Sequence, residues 1–151
     1  MDMCGIFGLI SDKKIRQDHL SLLVNHSRQR GRDSSGLIYH EANHYTIKRA
    51  DYDVKKLLRR ERRIQSNIIM GHSRLITNGL DDNQPVVRDG ICVIHNGIVV
   101  NDQEIWQSLN LKQKFQIDSE VIIALAIKFL EEGLAPEHIP KKIVSTCKGT
   151  I

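Results

Sequence analysis

The chain opens on a strand. Cys4-Gly5-Ile6-Phe7-Gly8-Leu9-Ile10 is apolar and β-branched, and Ser11-Asp12 bounds it. It reads as a short buried strand, which ties the start of the chain into the core. Its first residue is a cysteine, and the three residues before it, Met1-Asp2-Met3, read as a leader or an alternative start. Asp2 is a poor context for removal of Met1, whereas a start at Met3 puts a small residue second. Once Cys4 is residue one, its own α-amine lies beside its thiol. That amine titrates near about 8 and can act as a base at neutral pH. One residue then supplies both nucleophile and general base. The alternative is an inert, buried small thiol.

Beyond the first strand, helices and strands follow one another without strict alternation, the pattern of an α+β fold rather than a doubly wound sheet. Ile15, Leu20, Leu23 and Val24 give a helical stripe over 15–27, with Ser11 or Asp12 as its cap. Arg30-Gly31-Arg32-Asp33-Ser34-Ser35-Gly36 reads as a polar loop, and 37–39 and 45–48 as strands. A basic helix spans about 53–64, starting at Asp51 or Asp53. Strands at 67–72 and 90–95 each run into a polar loop, 73–79 and Asn96-Gly97, where sites are usually built. Residues 101–109 suggest a short helix capped by Asn101 or Asp102. The strongest helix, 119–132, has Asp118 as its cap, Val121, Ile122, Leu125, Ala126 and Phe129 as its inner face, and Gly133 as its stop. Another helix follows at 136–146, and Gly149-Thr150-Ile151 begins a further element.

Composition narrows the function classes. A length of 151 residues suits one domain, here 4–151, with 40% hydrophobic and 26% charged residues. No apolar run reaches membrane-span length and no secretory pattern opens the chain, so neither a membrane nor export is expected. Three cysteines (Cys4, Cys92, Cys147) cannot all pair and lack metal-site spacing, which fits a reducing cytoplasm and calls for no metal or other cofactor. His72 and His95 end two strands that could be neighbours, but no third ligand accompanies them, so they read as structural histidines. The net charge of +4 is concentrated in Lys55, Lys56, Arg59, Arg60, Arg62 and Arg63. These read as a solvated helix face or a docking surface for an acidic partner. Aromatics make up 5% and none interleaves with that cluster, which argues against nucleic acid.

Five motifs, weak singly, occur together: Cys4-Gly5-Ile6-Phe7-Gly8, Arg30 to Gly36, Gly71-His72-Ser73-Arg74, His95-Asn96-Gly97-Ile98 and Asp118-Ser119-Glu120-Val121-Ile122. In this order and spacing the chain resembles the class II glutamine amidotransferase domain of the N-terminal-nucleophile hydrolases. Arg30 to Gly36 and His95 to Ile98 look most like glucosamine-6-phosphate synthases. Ser73-Arg74-Leu75 and Asn83-Gln84-Pro85 look more like the glutaminase domain of asparagine synthetases. Leu75 stands where the first group usually has tryptophan, and Asn78 where it has histidine.

The resemblance implies an αββα sandwich, with Lys148-Gly149-Thr150-Ile151 falling where the family begins a further strand, so that later strands would be missing. It implies hydrolysis of the glutamine side-chain amide through a thioester on Cys4, with the Asn96 side-chain amide and the Gly97 N–H as oxyanion donors. Arg74 corresponds to the residue that binds the substrate α-carboxylate and Asp118 to the one that holds its α-amine, with Thr77 and Asn78 lining the pocket. Arg30 and Asp33 read as structural. The implied partners are L-glutamine and an ammonia-accepting synthase domain or subunit, most naturally of the sugar-phosphate isomerase type, with self-association left open. Two other readings stand beside this one: a glutaminase part of an asparagine-synthetase-like enzyme, and an inactive fragment serving only as a binding module.

Overall fold

The computed structural model describes residues 4–61, 63–75, 83–109 and 111–151. Contacts divide the chain into two units, Met1–Pro85 and Val86–Ile151. The first runs β1 (Gly5–Ile10), α1 (Gln17–Arg28), β2 (Ser34–Glu41), β3 (His44–Ala50), α2 (Val54–Arg60) and β4 (Ile68–Arg74). Its strands form one antiparallel sheet in the order β1-β4-β2-β3. Leu20 and Val24 of α1 and Val54, Leu57 and Leu58 of α2 pack with Leu37, Tyr39 and Ile69 of the sheet. Strand alternation decides which side of β1 joins them. Phe7 and Leu9 pack against this core, whereas Ile6 and Ile10 remain 52% and 74% exposed. The expectation of a buried first strand therefore holds for one face only.

Several boundaries move, each for a local reason. Helix α1 starts at Gln17 with no side-chain cap, not under Ser11 or Asp12. Ser11 Oγ instead accepts the Lys13 N–H at 3.2 Å, and the Ile15 N–H donates to the Ser66 carbonyl, holding 11–15 out of the helix. Strands β2 and β3 are longer than their apolar runs and meet in a two-residue turn, Ala42 and Asn43 at φ 50° and 65°. Ser34, Ser35 and Gly36, expected in a loop, lie in β2 and are buried. Ser35 donates to the Tyr52 carbonyl at 2.6 Å, and its own carbonyl accepts from Asn83 Nδ2 at 3.0 Å. Gly36 lies against Gln84 and Pro85 so closely that a Cβ would come within 2.5 Å of the proline ring. A polar side chain such as Ser35, bonded inside the sheet by partners remote in sequence, resembles a loop residue in sequence.

Helix α2 starts where expected. Asp53 caps it, accepting the N–H groups of Lys55 and Lys56 at 2.9 and 3.2 Å, and pairs with Arg28 at 3.2 Å. Burial works to raise the Asp53 pKa, but the Lys56 N–H, the Arg28 charge and the Lys55 N–H outweigh it and hold the carboxyl below its usual range. Replacing Asp53 by alanine is expected to lower stability by about 1–2 kcal/mol, read by urea unfolding at pH 7. A depressed carboxyl stabilises fully above its unfolded value of about 3.9 and loses that contribution as pH falls below it. The gap between the two chains should therefore close in acid. A gap that persists unchanged at about pH 2 would contradict this assignment. Lys56 and Arg60 cover the Tyr52 ring at 4.6 and 4.8 Å, so part of the basic cluster packs its own surface; Arg62 lies outside the described residues.

The second unit contains β5 (Val86–Arg88), β6 (Ile91–Val93), β7 (Ile98–Val99), α3 (Asp102–Leu109), α4 (Glu120–Glu131), a 3-10 turn (Pro136–His138), α5 (Ile139–Thr146) and β8 (Gly149–Thr150). Strands β5 and β6 form one hairpin, turning at Asp89 and Gly90 with φ 49° and 81°. Strand β8 is the element that begins at Gly149, and it pairs antiparallel with β7. Val121, Ile122, Leu125, Ala126 and Phe129 face the core as expected, together with Trp106, Ile139 and Ile143. Gly133 ends the helix region at φ 81°.

Two caps are corrected. Helix α4 has Ser119 at its N-cap position, where its side chain makes no capping bond to the helix, and the Asp118 carboxylate accepts the Val99 N–H at 2.7 Å instead of capping. The Asn101 side chain does not serve α3 either: it donates to the Thr146 carbonyl at 3.1 Å and accepts the Lys148 N–H at 2.7 Å. The architecture is α+β, as expected. Among the described residues no helix is long and apolar enough to cross a membrane.

Candidate active site

Strand register brings together the candidates of the first unit. Gly5 of β1 stands opposite Ser73 of β4, which sets half-buried Cys4 beside the end of β4. Its thiol donates to the Leu75 carbonyl at 3.9 Å, and its own carbonyl accepts from Arg30 Nε at 3.2 Å. Arg30 thus holds the backbone of the cysteine, the structural role expected of it. Asp33 joins the same corner through its N–H, which donates to the Arg74 carbonyl at 3.0 Å.

Two glycines make this closeness feasible. A Cβ on Gly5 would lie 2.5 Å from the Ser27 carbonyl oxygen, and one on Gly31 would lie 2.5 Å from the Arg74 carbonyl carbon. Ser27 Oγ donates in turn to Ser73 Oγ at 2.8 Å. Three sequence motifs, at Cys4, at Arg30 to Gly36 and at Gly71 to Arg74, therefore form one knot in which Cys4 and Arg74 are neighbours. Ser73 and Arg74 belong to β4 itself, not to the loop that sequence patterning suggested. Thr77 and Asn78 lie outside the described residues.

The second unit holds the other candidates. Asn96 and Gly97 are the last two residues of the link 94–97 from β6 to β7, and β6 ends earlier than expected, at Val93. Gly97 lies under the Thr150 carbonyl, and a Cβ there would also come 2.6 Å from His95 Nε2. Only glycine fits this position. Two residues further on, the Val99 N–H donates to Asp118 Oδ2, which ties Asp118 to the strand that leaves the Asn96-Gly97 link. Oδ1 of the same carboxylate is 3.4 Å from Ser119 Oγ. His95 is buried, with Nδ1 3.1 Å from Ser119 Oγ and Nε2 2.9 Å from the Thr150 carbonyl oxygen. Asn96, Gly97 and Asp118 are thus brought together in one corner of this unit.

His72 lies in β4, which pairs with β1 and β2, whereas His95 lies in the link beyond β6 and not in a strand. Among the described residues no three His, Cys, Asp or Glu side chains gather where a metal could be held.

Sequence reasoning overlooked Glu120. It is fully buried, pairs with Arg88 at 2.9 Å and accepts the N–H groups of Lys114 and Phe115 at 2.9 Å each. It thereby fixes the loop that delivers Asp118. The available signal was an acidic residue at the head of an otherwise apolar helix.

Residues 72–150 match the family model described as the glutamine amidotransferase domain. Among curated proteins, the glutamine–fructose-6-phosphate aminotransferase (isomerizing) of Sulfurisphaera tokodaii is 30% identical over 98% of this chain and 27% of its own length. That of Mesorhizobium japonicum is 28% identical over 97% of this chain and 25% of its own. The chain thus spans about a quarter of the length of the curated relatives it matches. Among solved structures, the glutamine phosphoribosylpyrophosphate amidotransferase of B. subtilis superposes with a TM-score of 0.71 at 20% identity, covering 97% of this chain and 33% of that one. A structure described as the allosteric regulatory enzyme of purine biosynthesis gives 0.76 at 21%, covering 97% and 34%. These likenesses show the fold.

Proposed function

The chain belongs to the glutamine amidotransferase domain family, and from that premise we propose that it hydrolyses the side-chain amide of L-glutamine with Cys4 as nucleophile. The observation that carries this reading is the β1–β4 register, which sets the Cys4 thiol beside the strand end bearing Arg74. A guanidinium there offers a bidentate partner for the substrate α-carboxylate. Removal of residues 1–3 frees the Cys4 α-amine, which takes the thiol proton. The thiolate attacks the side-chain carbonyl carbon, and the Asn96 amide and the Gly97 N–H stabilise the oxyanion; one such donor typically contributes about 2.7–4 kcal/mol. The amine returns the proton to the departing nitrogen, ammonia leaves, and a γ-glutamyl thioester remains. Water activated by the same amine then releases glutamate and regenerates the thiol.

Asp118 binds the α-ammonium through Oδ1, while Oδ2 stays with the Val99 N–H. Thr77 and Asn78 complete the pocket in this reading. The ammonia passes to a synthase domain or subunit that makes an amino-sugar phosphate, a role supported by the likeness to glutamine–fructose-6-phosphate aminotransferases. Cys4, Cys92 and Cys147 form no disulfide among the described residues, which suits a reducing cytoplasm.

The test is direct. Intact mass identifies the fraction of chain that begins at Cys4, and that fraction is incubated with glutamine. Equimolar release of glutamate and ammonia is expected. No release from chain shown to begin at Cys4 would overturn the reading.

A further inference from the structure

We propose that strand β8 is a splint for the site: it holds Gly97 and Asp118 on one length of backbone, so that oxyanion donation and α-ammonium binding depend on the same short pairing. The proposal rests on the roles given to Gly97 and Asp118 above. It makes Gly149 and Thr150 positioning residues that touch no substrate.

Strand β7 is only Ile98 and Val99, too short to hold a fixed backbone unaided. Neighbours fix it from both edges. On one edge the Val99 N–H donates to Asp118 Oδ2 at 2.7 Å, which ties the candidate ammonium anchor to the strand. On the other edge lies β8, with Ile98 opposite Thr150 and Val99 opposite Gly149. The pairing runs on to Val100, whose N–H donates to the Lys148 carbonyl at 2.9 Å. Successive N–H groups of a strand point to opposite edges, so Val99 serves Asp118 while Val100 serves the β8 side. Among the described residues no other strand pairs with β7.

The same strand reaches Gly97. The Thr150 carbonyl oxygen occupies the place that a Gly97 side chain would take, and it lies 2.9 Å from His95 Nε2. Gly97 is thus packed against Thr150 and His95 one residue before β7. A Cβ on Gly149 would strike the Ile98 carbonyl oxygen, and its φ of 121° disfavours any side chain. Strand β8 therefore approaches β7 this closely only with glycine at 149. It is anchored from behind by Asn101, which accepts the Lys148 N–H at 2.7 Å and donates to the Thr146 carbonyl at 3.1 Å. Gly149 and Thr150 are themselves exposed, so the strand contributes backbone pairing rather than core.

Gly149→Ala places a clash and a strained φ at the pairing itself. In chain beginning at Cys4, this variant is expected to lose roughly 10- to 100-fold in kcat/KM for glutamine, with kcat lowered and KM raised together. Amide exchange at Val99 and Val100 should quicken with it. Gly133→Ala is the matched comparison, because it puts a side chain on a positive φ of 81° in the same unit with nothing but adjacent chain within 4 Å of the new Cβ. Its glutamine kinetics are expected to be unchanged. An equal loss in Gly133→Ala would overturn the splint, since general destabilisation would then explain the effect. A change in only one of kcat and KM would also overturn it, because the two groups would not share a frame. Thr150→Pro, which deletes an N–H from β8, breaks the pairing by a second route. Unchanged kinetics in both Gly149→Ala and Thr150→Pro sink the splint alone, whereas no glutamate release from the unsubstituted chain sinks the roles of Gly97 and Asp118 and the splint with them.

Discussion

A chain carrying alanine at Cys4, processed to expose residue 4, is expected to lose glutamine hydrolysis by at least about 10⁴-fold while staying folded. The size follows from placing two functions on one residue. Alanine keeps the α-amine, but the base then has no thiol to deprotonate and no thioester can form. Under the proposed function Asn96 and Gly97 would still offer donors, yet there would be no bound oxyanion for them to stabilise. The fold should tolerate the change. Cys4 precedes β1, is half-buried, and among the described residues its side chain makes one long hydrogen bond, 3.9 Å to the Leu75 carbonyl. A stability change of about 1 kcal/mol or less is expected on that basis. Cys4→Ser is the stricter comparison, because it keeps size and position and changes only how readily the nucleophile ionises; it too should be severely impaired. Glutamate release measured beside urea unfolding separates chemistry from folding. Retention of the unsubstituted rate by processed Cys4→Ala would end the case for Cys4.

What could be read from the sequence, and what could not, divides on whether the signal is local. Helix α2 starts under Asp53 because an aspartate two residues before a backbone N–H caps it with no help from elsewhere. Gly133 stops α4 for an equally local reason, its positive φ. Asp118 carries the same local signal as Asp53 and misleads, because the Val99 N–H reaches it first from another strand. The polar stretch Ser34 to Gly36 misleads in the same way: Tyr52 and Asn83 bond Ser35 from a distance, and Gln84 packs against Gly36, holding the stretch in β2. The glycines of the motifs were visible as residues. What lies over each of them (Ser27, Arg74, Gln84 and Thr150) is remote in sequence and was not. Motif order pointed to the chemistry because the reaction demands particular residue types; the supports of those residues are general polar contacts that many sequences could supply.

The support at Glu120 gives the second large expected effect. Glu120→Ala should destabilise the chain by about 3–5 kcal/mol. The Arg88 and Glu120 side chains are 8% and 0% exposed, so deletion of the carboxylate leaves a buried guanidinium without its nearest anion. It also strips the Lys114 and Phe115 N–H groups of their acceptor, each about 2.9 Å away. Arg88→Met should cost less. Glu120 would retain both backbone donors, and a methionine of similar length can fill the space beside the Trp106 ring, over which the guanidinium now lies at 5.8 Å. The order of the two losses is the discriminating result, since a simple ion pair would make them alike. Amide exchange should show where Glu120→Ala acts, with protection lost at Lys114 and Phe115 before the rest of the unit. Because that loop leads directly into Asp118, glutamine affinity should fall with it under the proposed function. A loss below about 1 kcal/mol in urea would mean that Glu120 does not hold the loop, and Asp118 would need another anchor.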